Sequence, residues 1–252
     1  MKTNKIITLI TGGNRGMGLA LATKLATAGQ TVIIGTRNLK SGQTAIAPLI
    51  TAGLPIEAIQ LDVTDPASVT QAAAFVTEKY GYLTTLINNA GAAFDFGMAP
   101  ATVSQALLRK NFEVNYFGLI DVTQKFFPLL KQTARAKIIN ISSMMGSKTA
   151  ALDPKTGVYQ AVAAGYQSAK AAANMYTVQL AKQCQREQLA ITVNAVDPGM
   201  VATEFGGATP KQAQALGAQT VDTGIARTFA LATDFDNTET ATFSNVDGPV
   251  AW

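Results

Sequence analysis

The chain has 252 residues, of which 48% are hydrophobic and 14% charged, with a formal net charge of +4. Charge so far below the roughly 25% of an average soluble domain excludes disorder and leaves room for a large interior. Scattered Lys and Arg without a basic run exclude a nucleic-acid surface, while a single cysteine (Cys184) and no histidine exclude a disulfide framework, thiolate or imidazole metal sites and Ser-His-Asp catalysis.

Proton transfer is thereby left to Tyr, Lys, Asp, Glu or water. Cys184 lies in a helix-like stretch and reads as a packing residue. The apolar run Ile6–Ile10 meets glycines at once and is too short for a leader's apolar region or a membrane span. No other segment is long enough, so no membrane partner is expected and the expected location is cytoplasmic.

KIITLIT (5–11) reads as a buried strand. Met17, Leu21, Leu25 and Ala28 then recur at helical spacing, with Gly29 as the stop. TVIIGT (31–36), IEAIQL (56–61), LTTLIN (83–88), KIINI (137–141) and ITVNAV (191–196) read as further strands, and TATFSNV (240–246) closes the set. Asp65-Pro66 has the form of an N-cap followed by proline at the first helical position. Strands apolar on both faces and separated by helical stretches imply an α/β fold. The expected architecture is a doubly wound, Rossmann-type single domain over 1–252, with about seven parallel strands and helices on both faces. Residues 203–220, rich in Gly, Ala, Thr and Gln, read either as a surface loop with a short helix or as a mobile lid.

TGGNRGMG (11–18) follows the first strand and opens the first helix. Gly12, Gly16 and Gly18 let the backbone turn sharply and approach a pyrophosphate, which the helix N-terminus attracts. Asn14, Arg15 and Met17 belong to the same turn. A dinucleotide also needs a ribose contact at the end of the second strand, where a carboxylate would favour NAD. Gly35-Thr36-Arg37 stands there instead. No acid repels a 2′-phosphate, and Arg37 with Arg15 can grip one, so NADP(H) is the expected cofactor. Of six tyrosines, only Tyr166 in YQSAK (166–170) has a lysine four residues on, Lys170, a spacing that places both on one helix face.

In order along the chain, TGGNRGMG, NNAG (88–91), VNYFG with Asn115, NISS (140–143), Tyr166 with Lys170, and DPGMVAT (197–203) resemble the motifs of the short-chain dehydrogenase/reductase family over essentially the full length. The resemblance implies an NADP(H)-dependent oxidoreductase that reduces a ketone, aldehyde or quinone to an alcohol. It implies that Tyr166 gives the proton to the substrate oxygen in reduction and takes it in oxidation. Lys170 would favour the phenolate and bond the nicotinamide ribose. Ser143, the second serine of its motif and chosen over Ser142, would be the second donor to that oxygen. Asn115 would hold a water between Lys170 and solvent. Asp62 would contact the adenine, with Val63 beside it; Asn89, Ala90 and Gly91 would line the crevice. Thr203 and the backbone near Val201, after Pro198-Gly199, would hold the nicotinamide carboxamide. The implied assembly is a homodimer or homotetramer.

Residues 144–165, with Lys148, Asp153-Pro154 and Gly157, form a longer spacer than many members have and read as an inserted loop or short helix. Such spacers occur in the carbonyl-reductase-like branch, which the ending SNVDGPVAW also resembles. Met144, Met145, Met200 and Phe205 flank the motifs and read either as an apolar pocket or as core packing. Two alternatives stand beside the reductase: an NADP(H)-binding regulator without turnover, and a dehydrogenase working in the alcohol-oxidising direction. Regulators of that kind often lose the tyrosine or lysine; Asn115, Ser143, Tyr166 and Lys170 are all present, which favours an enzyme.

Overall fold

The computed structural model describes residues 5–252. Strands β1 (Ile7–Thr11), β2 (Thr31–Thr36), β3 (Ile56–Gln60), β4 (Thr85–Asn88), β5 (Ala136–Ile141), β6 (Ile191–Val196), β7 (Phe243–Asn245) and β8 (Gly248–Pro249) form one sheet in the order β3-β2-β1-β4-β5-β6-β7-β8. Helices α1 (Gly16–Thr27), α2 (Leu39–Thr51), α3 (Pro66–Tyr80), α4 (Gln105–Phe112), α5 (Gly118–Leu130), α6 (Lys148–Leu152), α7 (Ala164–Arg186), α8 (Pro210–Ala215) and α9 (Val221–Thr233) complete the chain.

The register explains why doubly apolar strands are needed. Leu9 pairs with Ile33 and Leu86, and Leu86 with Ile138; one residue on, Ile10 pairs with Ile34 and Ile87, and Ile87 with Ile139. Side chains alternate faces along a strand, so each pair of neighbours feeds two layers. Leu9, Ile33, Leu86 and Ile138 pack with Val76, Phe126 and Leu180 from α3, α5 and α7. Ile10, Ile34, Ile87 and Ile139 pack with Leu21, Ile46 and Ile225 from α1, α2 and α9.

The sheet has eight strands rather than about seven, and the eighth runs antiparallel to β7 while the other pairings are parallel. Asn245 makes that turn by accepting from the amides of Asp247 and Gly248. A two-residue strand is too short to carry an alternation signal. Asp65 caps α3 by accepting from the Ala67 amide at 3.0 Å, and Pro66 occupies its first position. Gly29 follows α1 with φ at +87°, a left-handed conformation that glycine adopts freely.

The spacer 144–165 contains a 3₁₀ turn, Met144–Gly146, and the short helix α6, which Ser147 caps. Residues 203–220 form a loop with a short helix: a 3₁₀ turn at Phe205–Gly207, then α8 closed by a reciprocal capping box between Thr209 and Gln212. Its base is tied by Gln219, whose amide donates to the Met200 carbonyl (2.9 Å) and whose carbonyl accepts from Ala202 (3.0 Å). Among the described residues, no helix is long and apolar enough to cross a membrane.

Strand order reverses between β1 and β4, and such a switch point opens a crevice at the carboxyl ends of the strands. The helix layer closes tightly beside it. A Cβ on Gly118, at the start of α5, would stand 2.7 Å from the Val63 carbonyl oxygen. Gly118→Ala is therefore expected to lose about 1–3 kcal/mol by overpacking, despite alanine's better helix propensity, and urea unfolding reads that loss. Stability at or above wild type would contradict the close approach.

Candidate active site

The glycine turn leaves β1 at Thr11. Gly12 and Gly16 hold φ at +66° and +52°, and a Cβ on Gly18 would lie 2.4 Å from the Gly12 carbonyl oxygen. Gly13 is equally constrained and the sequence reading passed over it: its Cβ would meet Ile34 at 2.6 Å. Arg15 is the N-cap of α1 but makes no side-chain capping bond, and the first turn carries no acidic residue. The helix start thus presents open N–H groups in an uncompensated positive field, which suits the pyrophosphate of a dinucleotide.

The residues expected around it divide by direction. Asn14 donates to the Ser41 hydroxyl (3.2 Å) and ties the turn to α2. Met17 packs against the core layer formed with α1, α2 and α9, its sulfur 3.5 Å from where a Gly224 Cβ would be. Arg15 forms an exposed ion pair with Glu204 (3.1 Å). Arg37 is exposed and, among the described residues, has no ion-pair partner. Asp62 accepts from the Thr64 amide (2.9 Å) and hydroxyl (2.8 Å), fixing the bend after β3. Val63 is buried in the core layer formed with α3, α5 and α7.

Across the switch point, the Thr11 hydroxyl accepts from the amides of Asn89 (3.0 Å) and Ala90 (2.9 Å). The Asn89 side chain also donates to the carbonyls of Thr11 (2.9 Å) and Gly12 (3.3 Å). Gly91 lies against both polar groups behind it: its Cβ would be 3.1 Å from Asn115 Oδ1 and 3.7 Å from Lys170 Nζ. Asn115 sits in a π-helical turn, Glu113–Phe117, between α4 and α5. Such turns insert one residue into a helix and often mark functional sites. The Asn115 amide group donates to the carbonyls of Ala92 (2.7 Å) and Asn111 (2.8 Å) and accepts from the Ala92 amide (3.2 Å).

Tyr166 and Lys170, one turn apart on α7, are both almost fully buried. Lys170 donates to the Ile141 carbonyl at 2.7 Å, and its Nζ lies 5.8 Å from the Tyr166 ring centre. The Ser143 hydroxyl accepts from the Met145 amide (3.2 Å) and lies close enough to the Tyr166 phenol to act on its titration. Ser142 is instead buried and bonded to Asn174. Burial is the largest influence on both titrating groups. It pushes the phenol above its ordinary value of 10.0, against the influence of the Ser143 hydroxyl and with help from the Asp197 carboxylate. It pulls the ammonium from 10.5 down to about 8. The net shift of the phenol is therefore upward rather than the expected lowering: desolvation outweighs the charge of Lys170, whose ammonium is engaged by a carbonyl.

Pro198 and Gly199 form the opposite wall. Gly199 has φ at +70°, and its amide bonds the buried Asp197 carboxylate (3.2 Å), which also accepts from Met144 (2.9 Å). Val201 pairs with Gln219 as an isolated bridge, and the Thr203 methyl lies 3.4 Å from the Cβ direction of Gly16. The wall thus touches the glycine turn. Phe96 and Phe205 stand over Tyr166, with ring centres 5.6 and 5.7 Å from its own. Met144 and Met145 are half-buried, and Met200 and Phe205 are exposed. Sequence reasoning missed Thr11, Asp95, Phe96, Asn111, Asn174 and Asp197; of these only Thr11 and Asp197 stood inside a quoted motif.

A family model described as short chain dehydrogenase matches residues 6–214. The chain belongs to that family and is an oxidoreductase of its α/β type. The short-chain dehydrogenase anuI of Penicillium roqueforti is 33% identical over 210 residues, 81% of each chain. The NADPH carbonyl reductase 1 of Macaca fascicularis is 36% identical over 147 residues, 58% of this chain and 51% of that protein, so the match spans about half its length. The solved structure of an NADPH-bound carbonyl reductase from chicken fatty liver matches with a TM-score of 0.83 over 98% of this chain and all of that one, at 28% identity.

The buried ammonium has a consequence for stability. A folded value near 8 lies below the unfolded 10.5, so Lys170 destabilises the fold while protonated, and stability rises as pH climbs through that window. Tyr166 acts oppositely above pH 10, where the unfolded phenol ionises first. Urea midpoints should increase from pH 8 to pH 10 in the wild type, and Lys170→Met should remove most of that increase. The same increase in both proteins would show that another group carries it.

Proposed function

We propose that this protein is an NADPH-dependent carbonyl reductase that converts a ketone, aldehyde or quinone to an alcohol. The observation that supports it most is the meeting of the buried Tyr166 and Lys170 with the half-buried Ser143 at the carboxyl end of the sheet, roofed by Phe96 and Phe205. A nicotinamide cofactor, when bound, supplies the hydride. The glycine turn, the open start of α1, Asn89–Gly91 and the wall 198–203 are the residues that would hold it. Arg37, which has no ion-pair partner among the described residues and no carboxylate beside it at the end of β2, supports a 2′-phosphate and hence NADPH. The names of the macaque and chicken reductases carry the same cofactor.

Within that reading, Tyr166 holds its proton at neutral pH because burial favours the neutral phenol. Its hydroxyl donates to the substrate oxygen as negative charge develops there, and Ser143 donates to the same oxygen. Lys170 keeps a positive charge behind the phenol and stabilises the phenolate left after transfer. Asn115 holds the Gly91–Ala92 backbone beside Lys170 and orders the route by which the proton is replaced. Phe96 and Phe205 exclude water above the phenol and give the substrate an apolar wall.

Two variants test the two halves of the proposal. Tyr166→Phe should reduce NADPH-driven turnover by at least about a hundredfold while NADPH affinity stays near wild type. Surviving turnover would remove Tyr166 from the role. Arg37→Asp should weaken NADPH binding by more than about tenfold and leave NADH binding nearly unchanged. Equal losses for both cofactors would place the 2′-phosphate elsewhere.

A further inference from the structure

Asp95 is completely buried, takes part in no ion pair among the described residues, and belongs to none of the motifs. Its carboxylate accepts three N–H donors: the Asn111 side-chain amide at 3.0 Å, the Gly165 amide at 2.5 Å and the Tyr166 amide at 3.2 Å. The last two are the first-turn amides of α7, whose own N-cap, Ala163, has no side chain able to cap. A residue 71 positions earlier in the chain therefore caps this helix. The fit leaves no spare room. A Cβ on Gly165 would stand 2.7 Å from Asn111 Nδ2 and 3.0 Å from Asp95 Oδ2, so only glycine permits the approach.

Asn111 braces the carboxylate from the other side. Its side-chain carbonyl accepts from the Phe94 amide (3.3 Å), and its backbone carbonyl accepts from Asn115 (2.8 Å). Asn115 in turn grips Ala92. One continuous set of hydrogen bonds thus runs from the loop after β4, through the π turn, to the backbone of the residue that carries the phenol. The chain next to Asp95 also supplies Phe96, whose ring packs on Tyr166.

We propose that Asp95, braced by Asn111, is a positioning residue. It fixes the height and rotation of the first turn of α7, so that the Tyr166 hydroxyl stays beside Ser143 in its buried setting. The role rests on Tyr166 being the proton donor of the proposed reduction. The physical warrant is that a buried carboxylate needs all of its donors, so those donors are held more firmly than by a neutral cap. A phenol displaced by a fraction of an ångström loses its alignment with the reacting oxygen.

Asp95→Asn keeps the shape but removes the charge and half of the accepting capacity. Asn111→Ala removes the brace and leaves the cap, as a milder version should the first variant fail to fold. Two readouts are taken well below the unfolding temperature. The first is ultraviolet titration of Tyr166, identified by its loss in Tyr166→Phe; the second is kcat with NADPH, alongside NADPH affinity. In Asp95→Asn the titration of Tyr166 should move down towards the ordinary phenol value of about 10, as the phenol leaves its buried setting. Turnover should fall at least about tenfold with NADPH affinity within about twofold, and Asn111→Ala should show smaller changes in the same direction. A lower Tm with kcat and the Tyr166 titration unmoved would make Asp95 a plain helix cap and overturn the proposal. If Asp95→Asn does not fold, an unmoved titration in Asn111→Ala overturns it equally. If the wild type turns over no carbonyl substrate, the reductase reading fails, and the titration alone decides whether Asp95 holds the phenol in place.

Discussion

Everything at the carboxyl end of the sheet hangs on the hydrogen bonds between the ends of β1 and β4. Parallel strands whose order reverses have no helix to bridge them there, so their loops would splay apart. Thr11 and Asn89 prevent this with four bonds between 2.9 and 3.3 Å, all donated from the β4 side to acceptors on the β1 side. One side of the seam is the glycine turn and the open start of α1. The other is Gly91, with Asn115 and Lys170 immediately behind it. A single seam therefore sets the distance between the phosphate cradle and the proton-transfer cluster.

Beneath that seam the fold tolerates an unusual amount of buried polarity. Asn88 and Asn140 face each other in register on β4 and β5, and a chain of side-chain bonds runs from Thr123 through both to Thr177. The amide groups of both asparagines donate along this ladder and lock neighbouring elements into one relative position, while the Asn88 side-chain oxygen is buried without a partner. The ladder joins α5, the sheet and α7, the elements that deliver Asn115 and Tyr166. Lys170 is treated differently: it has one carbonyl and little solvation. That arrangement lowers its proton affinity instead of strengthening a network.

The parts of this structure that were legible in the sequence are those with a local physical signature. TVIIGT and ITVNAV became strands over the residues read, because apolar runs between helices have no other stable place. Asp65-Pro66 became a cap because its geometry depends on residues within one turn. Glycine spacing and the Tyr166–Lys170 interval are likewise short-range patterns. Asp95 was invisible because its partners lie 16, 70 and 71 positions away and no periodicity connects them. The Arg15–Glu204 pair joins residues 189 positions apart. β8 was missed for the opposite reason, being too short to print any pattern. The direction of the Tyr166 shift escaped too, since an i, i+4 spacing reveals that a cation is near but not how dry the site is.

The π turn at Glu113–Phe117 acts as a frame setter. Upstream, Asn111 on α4 points its amide at Asp95; downstream, Val122 and Phe126 on α5 pack into the core. An uninterrupted α-helix advances about 100° per residue, so these two faces could not both be satisfied without the one additional residue. Point substitutions in this stretch alter a contact. Loss of a single residue would instead rotate one half of the helix against the other, leaving either the core or the polar cluster facing the wrong way. Variation in length is therefore far less tolerable between residues 111 and 118 than in the surface loops, and the spacing itself, as much as any side chain, is part of the site.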